Sequence, residues 1–360
     1  MVMTPRECFN RIMNYESVDR LPAFVVEPFE ETAVKRWVNE GLDITSTLED
    51  VLGIAKFTKI PAHLSPKPRF EHKIFYEDDE YIIETDTTYG AKVKKAKKAP
   101  TMYYGYMGHQ VKNSDDWYRI KYRYEGDLTK RIPKDIDEIA EQLNTSPNPV
   151  KLEIFPYFFR LGFYLMGMEN FMLAFYDQPD LIHEMFSFWN DFALSIIKPY
   201  LERVKIDIFV LMEDLAHNSA PHMSPEVYKE FWLPYQNKLI SEVKKYQINN
   251  ICLWTAGDIE VMIPMLMDNG INCLWPVERC SPNMDPYLLR KKYGKELRMN
   301  GGVPWKCLIE GPEAIDREVE KLIPLIQDGG FIPALDDMVS PEIPLENYIY
   351  YVNKLKSIRI

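Results

Sequence analysis

The hydrophobic pattern changes period along this chain, and the sharpest change falls within Ile251–Glu278. Two short apolar runs, Ile251–Trp254 and Ile271–Trp275, carry the alternation of β-strands. Between them, Ile259–Asp268 keeps a helical period, with Asp258 placed to cap it and Gly270 to end it. The segment predicts one β-α-β unit. Alternation puts Cys252 and Trp254 on one face of the first strand and Cys273 and Trp275 on the matching face of the second. Each strand therefore ends in an indole, followed by polar residues: Thr255, Gly257 and Asp258 after the first, Glu278 after the second.

The same reading extends over the whole chain. Thr4-Pro5-Arg6-Glu7 is a capping box with proline at the first helical position, predicting a helix that stops near Tyr15. Leu21–Val26 reads as a strand and runs into an acidic, aromatic loop over Glu27–Thr32. Residues 68–125 alternate without a long helical period and predict an antiparallel insertion. Strand-then-helix order resumes near residue 130. Val150–Phe155 leads into the aromatic stretch Pro156–Phe163, which contains Phe158. Asp177-Gln178-Pro179-Asp180 is placed to cap a long helix with Leu181, Ile182, Met185, Phe186, Trp189, Phe192 and Ile196 on its apolar face. Ile206–Met212 is nearly all apolar, as a strand buried on both faces should be, and ends in Glu213-Asp214. Ser224 opens a helix expected to run to about Tyr246. Leu297–Asn300, the helix Pro312–Ile326 and a last strand after Gly329-Gly330 complete the order, with Asp336 and Asp337 at its end. Repeated units of this kind predict an α/β protein: one (β/α)8 barrel over residues 1–360, with residues 68–125 as an antiparallel β-rich insertion. In parallel α/β folds the loops at the carboxyl ends of strands hold ligands, so the site is expected there.

Composition narrows the functional classes. The chain has 360 residues, 46% hydrophobic and 27% charged, with a formal net charge of −11. That balance argues against nucleic acid or an anionic membrane, because phosphate recognition needs clustered Lys and Arg. The one basic run, Lys92–Lys98, reads as a solvated hairpin. No apolar run approaches the ~18 residues of a membrane span, and the first residues read as an amphipathic helix start, so a cytoplasmic protein is expected. The five cysteines form no CxxC pair, which favours a reduced compartment. Neither GxGxxG nor GxxxxGK[ST] occurs, leaving a dinucleotide fold or a P-loop without support.

Five segments, MTPRECFNRIMNYESVDRLP, EDLAHNSAPHMSPEVYKEFWLP, IPMLMDNGINCLWPVE, MDPYLLRKKYGKELRMNGG and GGFIPALDDMVSPEIPLENYIYY, together resemble the uroporphyrinogen decarboxylase superfamily. The resemblance implies a (β/α)8 barrel and, within the family, either a decarboxylase or a methyltransferase that feeds a separate cobalamin-binding (corrinoid) protein. A decarboxylase handling a substrate with eight carboxylates carries an Arg-rich loop after the first strand, and here that loop is Glu27–Thr32, which repels such a substrate. Zinc-dependent relatives that alkylate thiols use a His-x-Cys pair and a later Cys. The matching positions are Trp254, Ala256 and, approximately, Asp337, so a thiolate zinc site and a thiol acceptor such as coenzyme M are not expected.

The resemblance therefore implies a corrinoid-dependent methyltransferase, with methoxylated aromatic compounds as donors and O-demethylation as the reaction. Trp254, Trp275, Trp305, Phe158 and Glu27 are the expected substrate-binding residues, the three indoles forming a flat slot for a ring. Glu213, Glu278 and Asp337 are the expected catalytic carboxylates. Glu213, Asp336, Asp337 and His217 are a candidate oxygen-rich set for zinc as a Lewis acid, the alternative being proton donation by a carboxylic acid of raised pKa. A lyase of the decarboxylase type and a non-catalytic barrel serving as a scaffold are the rival readings. A homodimer is one assembly that the sequence allows.

Overall fold

The computed structural model describes residues 2–25, 29–98, 104–125 and 130–359. Its strands, in chain order, are β1 (Thr58–Lys59), β2 (Ile74–Glu77), β3 (Tyr81–Thr85), β4 (Lys92–Ala96), β5 (Tyr104–Gly108), β6 (Val150–Ile154), β7 (Ile208–Met212), β8 (Ala216–His217), β9 (Ala220–Pro221), β10 (Ile251–Trp254), β11 (Cys273–Val277), β12 (Arg298–Val303) and β13 (Phe331–Leu335). Seven of them form one curled sheet in the order β1-β6-β7-β10-β11-β12-β13. Every pairing in it is parallel. Helices connect successive strands, as parallel pairing requires. The expected strand Leu21–Val26 is, among the described residues, an isolated parallel bridge from Phe24 to Ala55, and a second such bridge joins Phe29 to Val339 beyond β13.

The inner and outer faces follow from period two. On β6, Val150, Leu152 and Ile154 are buried toward the helices while Lys151 and Glu153 alternate with them. Register then carries the inner face across the sheet: Glu153 lies opposite Val210, Val210 opposite Cys252, and Cys252 opposite Cys273. One step further along, Trp254 pairs with both Met212 and Trp275, so the two indoles share a layer as their alternation predicts. At β12 the sheet needs Gly301: its φ is +110°, and a Cβ there would sit 2.8 Å from the Val277 amide nitrogen.

The amino-terminal helix Pro5–Met13 has the predicted capping box, with Thr4 and Glu7 bonding reciprocally. Arg6 pairs with the buried Asp207 at 2.8 Å, just before β7, and Arg298 donates to the Met13 carbonyl. This helix therefore lies against the amino ends of the strands and leaves the carboxyl ends for chemistry.

Several boundaries differ from expectation. β2 to β5 form an antiparallel sheet in that order, but the end of the supposed insertion is a helix, Ser114–Glu125, burying Trp117, Ile120 and Tyr124. Asp177 ends the helix Met168–Asp177, and Gln178 takes the cap position of Pro179–Leu201, whose predicted apolar face is wholly buried. The long helix after Ser224 divides into Pro225–Phe231 and Leu233–Lys244, because Pro234 cannot donate the hydrogen bond that would continue it. Between β10 and β11 the helix is shorter than its period suggested, a 3-10 turn at Glu260–Met262 followed by Ile263–Asp268. Among the described residues no helix is long and apolar enough to cross a membrane.

Candidate active site

A cavity of about 480 Å³ opens beside the inner face of β6, β7, β10 and β11, toward their carboxyl ends. Trp254, Trp275 and Met212 form one wall, and Phe57, Lys59, Lys151 and Glu153 form another. Phe57 meets Trp275 with ring centroids 4.9 Å apart and an interplanar angle of 47°. Trp275 is almost wholly buried, whereas Trp254 and Met212 are partly exposed and give the cavity its opening.

Cations flank both indoles. The Lys151 ammonium lies 5.1 Å from the Trp275 ring centre, and the Arg160 guanidinium lies 4.6 Å from that of Trp254. Lys151 also pairs with Glu153 at 2.7 Å, and Lys59 reaches the other Glu153 oxygen at 3.2 Å. Burial raises the Glu153 pKa, but the two ammonium groups outweigh it and hold the carboxyl below its ordinary value. Glu153 is thus an anion held between two cations, poorly suited to give up a proton.

The predicted carboxylates divide into distinct environments. Glu213 is fully buried; one oxygen accepts from the Phe159 amide at 2.8 Å and the other from the Trp232 indole at 2.8 Å. Desolvation pushes its pKa up to about 8 against those two hydrogen bonds. It ties the end of β7 to the helix Phe158–Met166 that precedes the strand and to Trp232 that follows it, and Glu213 is not among the residues lining the cavity. Asp336 is likewise buried, accepting from the amides of Trp305 and Arg279, and burial raises it to about 6. Glu278 differs: it is partly exposed and accepts from the Gly257 amide at 2.6 Å, directly after the β10 strand end. Burial raises its pKa, with the charges of Asp337 and Asp214 adding to the effect despite the Gly257 hydrogen bond. Asp337 is exposed and caps its neighbour Met338. Asp214 pairs with Arg160 at 3.5 Å, and burial still raises its pKa.

Trp305 packs at the end of β12 near Lys306 and does not line the cavity, so the wall has two indoles where three were expected. Phe158 is core, stacked on Phe186 with centroids 4.2 Å apart. Glu27 lies outside the described residues. His217 is exposed and engages Ser219, while His222 stacks on Phe159. Among the described residues no three His, Cys, Asp or Glu side chains gather as a metal ion would need, and Glu213 already spends both oxygens on fixed donors. The proposed zinc set does not fit. Sequence reasoning missed Phe57, Lys59, Lys151, Glu153 and Arg160. The signal for two of them was present in VKLEI, where Lys151 and Glu153 interrupt a strand that should be continuously apolar if both its faces were core.

With this geometry in place, the comparisons identify the family. The sequence pattern described as uroporphyrinogen decarboxylase (URO-D) matches residues 159–358, more than half of the chain, and the protein belongs to that family. A uroporphyrinogen decarboxylase of Nostoc punctiforme is 23% identical over 189 residues, covering 52% of this chain and 50% of the relative. A methylated-thiol–coenzyme M methyltransferase of Methanosarcina mazei is 25% identical over 233 residues, covering 63% and 59%. The chain thus matches about half to three-fifths of the length of these curated relatives. A solved structure of a methyltransferase from Methanosarcina mazei shares the fold, with a TM-score of 0.57, 16% identity and 98% of each chain covered.

Proposed function

We propose that this protein is a methyltransferase that removes a methyl group from a methoxylated aromatic compound and delivers it to a corrinoid carried by a separate protein. The observation that carries the reading is the aromatic cavity beneath the strand ends, walled by Trp254, Trp275 and Phe57 and sized for a substituted ring. The methyltransferase relative supports the reaction type. In this reading the isolated bridges at Phe24 and Phe29 complete an eight-position barrel over one domain spanning residues 1–360, and Glu278 is the catalytic carboxyl.

Phenolate is a modest leaving group, so the ether oxygen gains from a proton as the carbon–oxygen bond breaks. Glu278 follows Trp275 by three residues in sequence, and burial raises its pKa, the direction that favours proton donation. Donation to the ether oxygen gives a neutral phenol and a Glu278 carboxylate, while the methyl carbon passes to the nucleophile. The reduced corrinoid of the partner supplies that nucleophile. The partly exposed edge at Trp254 and Met212 gives it an approach, and the indoles hold the ring so that the methyl group faces outward.

A decarboxylase reading draws on one observation, the lysines Lys59 and Lys151 in the cavity wall, together with the Nostoc relative. Both lysines are already bonded to Glu153, which leaves a poor floor for a polycarboxylate. A scaffold reading would need a filled cavity. The test is a panel of methyl donors incubated with reduced corrinoid partner and this protein: methylation of the corrinoid, followed by its absorbance change, is expected with methoxyarenes. An unchanged spectrum across the panel overturns the proposal.

A further inference from the structure

The cavity beside Trp254 and Trp275 is larger than one ring needs. A benzene molecule fits a cavity of about 150 Å³, whereas this one holds about 480 Å³. Its lining runs from the two indoles to Phe29 and Val34. The same two side chains line a groove of about 630 Å³, completed by Glu31, Lys35, Val38 and Asn39. The cavity and the groove therefore meet at Phe29 and Val34.

The helix Glu31–Asn39 builds the groove. It buries Ala33 and Trp37, and the Trp37 indole donates to the Ile343 carbonyl at 2.8 Å, which fixes the helix against the segment after β13. Val34 and Val38, four residues apart, share the adjoining face, and Val38 is 47% exposed. Phe29 meets Trp37 and Tyr348 edge-on, with centroids 5.7 and 5.6 Å away, so its ring is held in place. Nearby charges are paired. Glu31 bonds Lys35 at 2.6 Å along the groove, and Lys56 lies 3.3 Å from Asp50 beside the cavity. Apolar walls with their ions already paired favour a neutral, apolar occupant.

We infer that the groove is a second subsite for the methyl donor, and that the donor is a diaryl compound. A methoxylated ring lies against the indoles, and a short linker carries a second ring along Phe29, Val34 and Val38. The inference rests on the methoxyarene reading and names the donor more closely. An aryl group suits the groove better than an alkyl chain, because Phe29 presents a ring to it and a rigid ring loses less freedom on binding. Neither Trp254 nor Met212 lines the groove, so the second ring leaves open the edge by which the corrinoid approaches.

Calorimetry on the whole chain, without the corrinoid partner, tests this with three ligands: a monocyclic methoxyarene, the same ring bearing a second aryl group, and the same ring bearing an alkyl chain of equal carbon number. The diaryl compound should bind more tightly than the monocyclic one by about tenfold or more. Val38→Glu puts a charge into the groove from an exposed helix position. It should bring the diaryl affinity down to the monocyclic value and leave the monocyclic Kd unchanged, since Val38 does not line the cavity. Equal binding of the monocyclic and diaryl compounds overturns the subsite and leaves the methoxyarene reading standing, whereas binding of none of the three overturns both. An alkyl compound that gains as much as the diaryl one overturns the diaryl assignment. So does an unchanged diaryl affinity in Val38→Glu; if that variant instead slows methyl transfer from the monocyclic donor to the corrinoid protein, the groove is a contact for the partner.

Discussion

Replacing Glu213 by glutamine tests the reading of that residue as a buried structural acid, and the expected effect is a change in the slope of stability with pH. In the folded protein desolvation holds the Glu213 pKa at about 8 against an ordinary value of 4.5. As pH rises, the unfolded chain loses this proton first. The stability linked to Glu213 is therefore whole below about pH 4.5 and is lost progressively until pH has passed about 8. Between about pH 5.5 and about pH 7.5 that loss is on the order of 2–3 kcal/mol. For a chain of this length it corresponds to roughly 3 °C in Tm. Glutamine does not titrate, so Glu213→Gln should lack this fall. It should also be less stable at every pH by about 1–3 kcal/mol, because its amide group must face either the Phe159 amide or the Trp232 indole, both of them donors. Denaturant unfolding of both proteins at the two pH values separates slope from offset. Parallel pH profiles would refute the buried-acid assignment, whatever the offset.

Two further predictions concern the cavity. Trp254→Ala should weaken methoxyarene binding by about 1–3 kcal/mol, seen as loss of tryptophan quenching or by calorimetry, while Trp305→Ala should leave binding unchanged because Trp305 lies outside the cavity wall. Glu278→Gln should lower kcat by about 10²–10⁴-fold with little change in KM. In the wild-type protein the rate should fall as pH rises through the elevated Glu278 pKa, since the acid must be protonated to act, and the variant should lack that limb.

Two residues of the cavity wall were legible, where strand alternation was strict. Trp254 and Trp275 were placed on one face by period two, and the parallel register puts them side by side. The approximate order of strands and helices was legible for the same reason. Trp305 was misplaced because it follows β12, where positive-φ glycines and a register shift against β11 break the alternation that served for the other two. Phe158 was misplaced because an aromatic run at a strand end reads alike whether it lines a cavity or, as here, opens a helix and stacks in the core on Phe186. Phe57 and Lys59 come from β1 and its approach, too short to carry a periodic signal, and reach the cavity only through the parallel pairing of β1 with β6. Glu213 looked catalytic because it sits at a strand end; its two buried donors come from residues 54 positions before and 19 positions after it, which no local pattern reveals.

The central claim is that an intact methyl group leaves an aromatic ether in this cavity and enters a corrinoid. Its most direct test supplies a methoxyarene labelled with carbon-13 in the methoxy group, together with the reduced corrinoid partner, and follows the label by NMR. Transfer of the label to the corrinoid with one equivalent of phenol formed, and no carbon dioxide released from uroporphyrinogen in a parallel incubation, is the predicted result. Label that stays in the ether, or carbon dioxide release from uroporphyrinogen, would contradict it.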